Sequence, residues 1–175
     1  MDSVANSRNK YDRSDSLELG ENAEQFFILL AVRLGWKISA STSEENINEH
    51  WDYLIEKGAA KFKVEVKSKK RITRSDKDTQ QDLTWIELHG VRPKDTGWLF
   101  GRADLIAFEK EDCFMIVKKA DLLKMVNKKV DLVGKVANPK DALYKIYKRK
   151  GRRDKLTLLP FRDIEEIQFM KWNKK

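Results

Sequence analysis

The sequence predicts an α/β domain with a mixed central β-sheet flanked by α-helices. Three observations predict it. Apolar residues recur at helical spacing near the N-terminus, several short segments then alternate at strand period, and a further helical segment follows them. No internal repeat interrupts this order. The 175 residues suit one domain with a sizeable core.

Residues 1–16 are polar and lack periodicity, so they read as a flexible tail, and residues 17–175 read as a single domain. Within 17–34, Leu19, Ala23, Phe26, Phe27, Leu30, Ala31 and Leu34 share helical spacing, and Gly35 closes the segment. Residues 36–39 start a short strand or turn, and 46–49 read as loop. Residues 51–55 and 62–66 alternate as strands, joined by a turn at Gly58. The charged stretch 72–83 is loop or short helix, 84–89 a strand, and 90–97 a turn containing Pro93. Residues 98–108 and 114–117 form a hairpin across 109–113. A helix is expected over 121–128, with Asp121 near its start, and a second helix candidate is 140–148. Residues 156–159 make a short strand ending at Pro160, and 163–169 close the fold.

Lys and Arg number 36 against 28 Asp and Glu, a formal net charge of +8. Such a balance favours polyanions, nucleic acid first and an anionic membrane second. Cys113 is the only cysteine, which excludes an intrachain disulfide and a thiolate metal cluster and fits a reducing compartment. The longest strongly apolar stretch, 26–32, falls far short of the ~20 residues that a membrane span needs. The polar N-terminus lacks a signal-peptide core, so the expected location is the cytoplasm. With His50 and His89 as the only histidines, catalysis would rest on carboxylates and lysine.

The hydrophobic pattern of 51–55 and 62–66 fixes a register. Paired antiparallel with position numbers summing to 117, Ile55 faces Phe62, Tyr53 faces Val64 and Trp51 faces Val66, all on one side. The other side then holds Leu54 opposite Lys63 and Asp52 opposite Glu65. Carboxylates so placed have Cβ atoms roughly 5 Å apart and repel each other. Lys67, two residues beyond Glu65, projects from the same face. A hard divalent cation such as Mg²⁺ relieves that repulsion, activates water and offsets charge on a phosphate, while a lysine stabilises the transition state. These are the parts of a phosphodiester hydrolase, with no nucleophilic side chain for a covalent route.

Asp52, followed after a turn by Glu65-Val66-Lys67, resembles the D…(D/E)-x-K motif of the PD-(D/E)XK nuclease superfamily, with Trp51 where the motif's name has proline. The stretch Gly20-Glu21-Asn22-Ala23-Glu24 is similar to the first-helix segment that often carries a further glutamate, Glu24 being the match and Glu21 the alternate. The resemblance spans about 17–116, and 98–108 is similar to a strand pair of some phage and viral members, for which the compartment would be an infected host cell. It implies a restriction-endonuclease-like core of helix, three-stranded meander, helix and further strand. It also implies Mg²⁺, with Mn²⁺ able to substitute, bound by Asp52, Glu65 and the Val66 carbonyl, and an assisting role for Glu24.

Basic residues surround this constellation. Lys69, Lys70, Arg71 and Arg74 follow Lys67, and Arg149, Lys150, Arg152 and Arg153 cluster around Gly151. Clustered cations can follow a phosphate backbone, although charge runs are ordinarily solvated loops. Trp85 and Trp98 can stack on bases or pack in the core. Asp104 reads as a spare ligand or a turn contact, Gln80 and Gln81 as substrate-side or loop residues. The leading expectation is therefore a Mg²⁺-dependent endonuclease acting on DNA. The alternative is a nucleic-acid-binding module of the same fold without catalysis, and a third reading is a basic protein or membrane-surface adaptor. Cutting both strands of a duplex calls for a homodimer or successive binding events.

Overall fold

The computed structural model describes residues 7–73 and 75–175, with side chains described from residue 17 onward. The chain opens with α1 (Ser7–Arg33), β1 (Lys37–Ala40), α2 (Ser43–Glu49), β2 (Tyr53–Lys57) and β3 (Ala60–Lys67). It continues with β4 (Leu83–His89), a 3-10 turn (Trp98–Phe100), β5 (Leu105–Glu109), β6 (Cys113–Lys118) and α3 (Lys119–Lys129). It closes with β7 (Asp131–Val136), a 3-10 turn (Pro139–Asp141), β8 (Lys145–Tyr147), β9 (Lys155–Pro160), α4 (Phe161–Glu166) and β10 (Gln168–Asn173).

The strands form two mixed sheets flanked by helices. The larger has the order β1-β2-β3-β5-β6-β10 and the smaller β4-β9-β8-β7. In the larger sheet every neighbouring pair is antiparallel except β3 and β5, where Glu65 pairs with Ile106. One face of it packs on α1, through Ala23, Phe27, Leu30 and Ala31 against Tyr53, Ile55, Val64, Leu105, Phe114 and Trp172. The other face joins Ile106, Phe108 and Met115 to Leu122 and Val126 of α3 and to Ile86 and Leu159 of the smaller sheet. β5 is buried along its whole length because its alternating side chains serve both cores.

α1 ends where the sequence predicts. Gly35 takes a left-handed φ of 78°, and Trp36 N–H reaches back to the Ala31 carbonyl at 2.9 Å. Its start differs: the helix runs from Ser7, so residues 7–16 of the expected tail continue it, and residues 1–6 lie outside the described residues. Once the apolar turns after residue 17 have nucleated a helix, each further polar residue is added at little cost.

Further corrections follow from packing. Residues 46–49, expected as loop, belong to α2, which Thr42 and Glu45 close with a reciprocal capping box. Of the loop and short helix expected over 72–83, the described residues take the loop up to β4, and β5 begins only at Leu105 because Trp98–Phe100 forms a 3-10 turn. The helix candidate 140–148 is instead a 3-10 turn followed by β8. Residues 163–169 divide between α4 and β10, and β10 pairs with β6 at the sheet edge. The resemblance implies a helix between the third strand and the next strand of the core. Between β3 and β5 the described residues form β4 and the 3-10 turn, and β4 leaves for the smaller sheet.

Phe27 is the centre of the α1-side core. It is fully buried, stacks on Trp172 at 4.9 Å and meets Phe114 edge-on at 5.5 Å. Phe27→Ala is expected to cost about 3–5 kcal/mol of unfolding free energy, read from the urea midpoint at constant slope.

Candidate active site

The register expected from the sequence is the one observed: Tyr53 pairs with Val64, Leu54 with Lys63 and Ile55 with Phe62. It stops one residue short of the carboxylate. Asp52 leaves the ladder, its N–H donating to the Val64 carbonyl at 2.8 Å while its Oδ2 accepts the Val66 N–H at 2.7 Å. Trp51 consequently turns to the opposite core, with Trp98 and Phe108, and does not face Val66 as alternation predicts. Asp52 Oδ1 accepts the Asn46 amide of α2 at 2.6 Å.

Glu65 and Lys67 stand on the β3 face shared with Ile106 and Phe108, their parallel partners. Lys67 Nζ is ion-paired with Glu65 Oε1 and lies 5.2 Å from the centre of the Trp98 ring. Glu65 Oε2 is buried and has no hydrogen-bond partner. Burial works against the Lys67 charge, but Glu65 and Asp52 outweigh it and hold the ammonium above its usual range. Burial, and after it the negative charge of Glu65, push Asp52 up to about 7, against the opposing pull of Lys67 and the Val66 N–H.

Glu24 reaches this centre from α1. Its Oε2 accepts the Tyr53 hydroxyl at 2.7 Å, and its charge adds to the upward pressure on Asp52. Burial and the bonded Glu24 raise the Tyr53 phenol, which keeps that hydroxyl a donor. Glu24, Thr42, Asn46, Asp52 and Tyr53 line one cleft. Glu21 is exposed on the outer surface of α1. A second cleft, lined by His50, Lys67, Lys70, Thr84, Trp85, Glu87, Trp98 and Leu156, opens on the other side of Lys67.

Among the described residues no group of three or more His, Cys, Asp and Glu side chains is arranged to hold a metal ion. Asp52 and Glu65 are the side chains able to do so as a pair. Two repelling carboxylates, one with an unpartnered buried oxygen, match the hard-oxygen chemistry of a divalent cation that keeps several waters.

A bacterial homing endonuclease is similar in structure. The solved structure of I-Ssp6803I matches with a TM-score of 0.47 and 16% sequence identity, over 62% of this chain and 72% of that one. No protein-family model matches the chain, and no curated protein matches its sequence. No helix among the described residues is long and apolar enough to cross a membrane.

The other sequence candidates divide. Lys70 lines the Lys67 cleft, whereas the Lys69 backbone N–H donates to Glu109. Arg149 is tied to buried Asp154 at 2.5 Å, while Lys150, Arg152 and Arg153 are exposed on the loop joining β8 to β9. Arg74 lies outside the described residues. Gln80 N–H closes a turn on the Lys70 carbonyl, and Gln81 accepts the Glu111 N–H, so neither backs the carboxylates. Asp104 accepts the Lys63 N–H at 2.8 Å, the turn-contact reading. His50 pairs with Asp95 at 2.8 Å, and His89 Nδ1 lies 2.7 Å from the Gly90 carbonyl. Trp85 packs on Tyr147 and donates to the Arg71 carbonyl, and Trp98 is core. Sequence reasoning missed Asn46, Tyr53 and Glu87. Asn46 had a signal in the Thr42–Glu45 capping box, which marks its helix. Glu87 had none, because it reaches Lys67 from the smaller sheet. Burial holds Glu87 above the usual carboxylate range despite Lys67.

The raised Asp52 carboxyl makes stability depend on pH. The unfolded chain ionises this group near 3.8 and the folded chain near 7, so the unfolded state loses its proton first. Stability therefore falls as pH climbs between those values and levels off above them. In chelator-treated protein the fall is expected to be on the order of a few kcal/mol. Asp52→Asn removes most of it, since Asn46 can flip its amide and keep its hydrogen bond, and urea unfolding across that pH window is the measurement.

Proposed function

We propose that this chain is a metal-dependent nuclease that cuts DNA phosphodiester bonds internally, using Asp52, Glu65 and Lys67. One observation carries the reading. Half-buried Asp52 and buried Glu65, one of whose oxygens has no partner, sit beside a lysine that its surroundings keep charged. Mg²⁺ or Mn²⁺ bound by Asp52, Glu65 and the Val66 carbonyl would supply an activated water and charge neutralisation at the phosphate.

The chain's own groups do the rest. Val66 N–H and the Asn46 amide hold the Asp52 carboxylate against rotation. Lys67, released from Glu65 as the charges redistribute, offers its ammonium to the non-bridging phosphate oxygens as negative charge grows there. Glu24, steadied by the Tyr53 hydroxyl, stands where it can orient a water. Lys70 extends the positive charge along the second cleft, and Lys150, Arg152 and Arg153 provide exposed cations on the smaller sheet for the backbone on either side of the cut.

Asp52→Ala, Glu65→Ala and Lys67→Ala should each lower Mg²⁺-dependent cleavage of plasmid and linear DNA by about 100-fold or more, equivalent to about 3 kcal/mol in the barrier, while far-UV circular dichroism stays unchanged. Three variants that cut like the parent would sink the assignment. A second reading, nucleic-acid binding without cleavage, is favoured by the Lys67 ammonium resting on Glu65 and by the lack, among the described residues, of a group of three His, Cys, Asp or Glu side chains placed to hold a metal. Calorimetric Mn²⁺ titration separates the two. A binding heat that disappears in Asp52→Ala supports the nuclease, and no heat in the parent supports the binding module.

The cationic loop gives a separate expectation. Neutralising Lys150, Arg152 and Arg153 together should lower DNA affinity at low salt. It should also flatten the dependence of log K on log salt by about 0.9 for each phosphate that the variant no longer neutralises. Equal slopes for parent and variant in fluorescence anisotropy would remove this loop from the interface.

A further inference from the structure

The chain between β4 and the Trp98 turn is a braced loop. Arg92, Pro93, Lys94 and Asp95 form a β-turn, closed by the Asp95 N–H on the Arg92 carbonyl at 3.2 Å, with proline where its fixed φ suits the turn. Asp95 ties this turn down. Its Oδ1 lies 2.8 Å from His50 Nε2 and accepts the Gly97 N–H at 3.1 Å, and its carbonyl accepts the Gly90 N–H at 3.0 Å. A Cβ at Gly90 would collide with the Asp95 carboxylate, so the glycine is part of the brace. Arg92 joins the turn to the end of α2 by donating to the Ile47 carbonyl at 2.9 Å.

This scaffold turns cations outward. The Arg92 side chain is 51% exposed and has further N–H donors beyond the one on Ile47, although Asp95 lies 3.7 Å away. Lys94 is exposed at the apex of the turn. Asp95, the only acid in 90–97, has a side chain 8% exposed and directs its carboxylate inward. The carbonyls at the end of a helix repel anions. Here Arg92 covers that of Ile47, and the Arg102 N–H covers that of Glu49 at 2.6 Å. Of the α2 acids, Glu45 is held in its own cap and Glu49 is paired with Lys63 and Arg102, while Glu44 lies in the first turn, away from this end.

The surface is continuous with the candidate site. Ile47, Asn48, Arg92, Lys94 and Thr96 line a cleft that shares Ile47 with the cleft of Glu24 and Asp52, and His50 with the cleft of Lys67. A strand with a phosphate at Asp52 and Lys67 therefore has this cleft beside it. Arginine, lysine, an amide and a hydroxyl are the side chains that hold phosphates and set register on a nucleic acid. A loop already braced loses little freedom when it binds. We propose that the 90–97 loop and the end of α2 form a contact surface for the DNA backbone, with Arg92 and Lys94 holding phosphates next to the candidate site. The choice of partner rests on the proposed function, but the surface is defined by binding and not by cleavage.

Fluorescence anisotropy of the full chain with a labelled DNA duplex, in chelator so that nothing is cut, tests it. Arg92→Gln combined with Lys94→Gln should weaken binding about tenfold at low salt and flatten log K against log salt by about 1.8, or ~0.9 for each phosphate. Lys171→Gln combined with Lys175→Gln removes the same charge at the far edge of the larger sheet and should leave the slope as it is. Parent-like binding by the Arg92 and Lys94 variant overturns the proposal. An equal loss in the Lys171 and Lys175 variant does so too, since bulk charge would then explain it, as does a parent that does not bind DNA. If the paired variant misfolds by circular dichroism, Lys94→Gln decides alone, with a slope change of about 0.9 expected and an unchanged slope counting against the loop. The two readings fail separately. A parent whose binding depends on Arg92 and Lys94 but which never cuts loses the nuclease and keeps this surface. A parent that cuts through Asp52, with a slope indifferent to the loop, does the reverse.

Discussion

The hydrogen bond from the Val66 N–H to the Asp52 carboxylate, 2.7 Å long, governs how the middle of the chain is arranged. A strand that stayed in register would spend that donor in a ladder. Here β2 starts at Tyr53, and the residue before it takes the donor through its side chain instead. The carboxylate is thereby fixed to β3 beside Glu65. The backbone that leads into Asp52 is free to cross to the other side of the sheet, where Trp51 packs with Trp98. Glu49, at the end of α2, accepts from Trp51 at 2.9 Å and pairs with Lys63 and Arg102 at 3.3 and 3.2 Å. The capped helix and the loop before β5 both hang on this crossing.

Placing charge at such a crossing has an electrostatic cost. Ile106, Phe108 and Trp98 belong to the core beside this centre and Glu65 is buried there, so water screens the carboxylates from each other poorly. The result is divided: Lys67 remains charged because two carboxylates face it, while Asp52 holds its proton up to about 7 because one lysine cannot neutralise two acids and burial besides. Glu87 adds another acid from the smaller sheet. A centre with more acid than base in poor solvent is destabilised, and a cation, if bound, would relieve that imbalance.

Features set by local pattern were legible, and those set by distant partners were not. Alternation in 51–66 gave the β2–β3 register because one face is buried, so a slip would expose it. The same rule failed at Trp51, since alternation holds only while the backbone stays in the ladder. α2 escaped a periodicity search because none of its residues is buried, though Thr42 and Glu45 announce its start. β7 escaped for a like reason, its side chains being mostly exposed at a sheet edge. The cluster of cations after Tyr147 was visible as composition, but the sequence could not say that Asp154 withdraws Arg149 from it.

The two sheets divide the labour, and β4 is where they meet. The first carries Glu65 and Lys67, with Asp52 fixed beside them just ahead of β2, and the second carries the exposed cations between β8 and β9. Leu156, which lines the Lys67 cleft, pairs with Glu87 of β4 and with Tyr147 at the base of that cationic loop. Gly97 sits against the same strand with φ of 73°, and a Cβ there would lie 2.8 Å from the Glu87 carbonyl oxygen. That close approach, open to glycine alone, lets the Trp98 N–H donate to the Glu87 carboxylate and lays the indole against Lys67. The lysine is therefore oriented by its own strand through Glu65, and by the second sheet through Glu87 and the Trp98 turn bonded to it. A shift of one sheet against the other would move the ammonium relative to Asp52, so the site keeps its geometry only while both sheets hold their places.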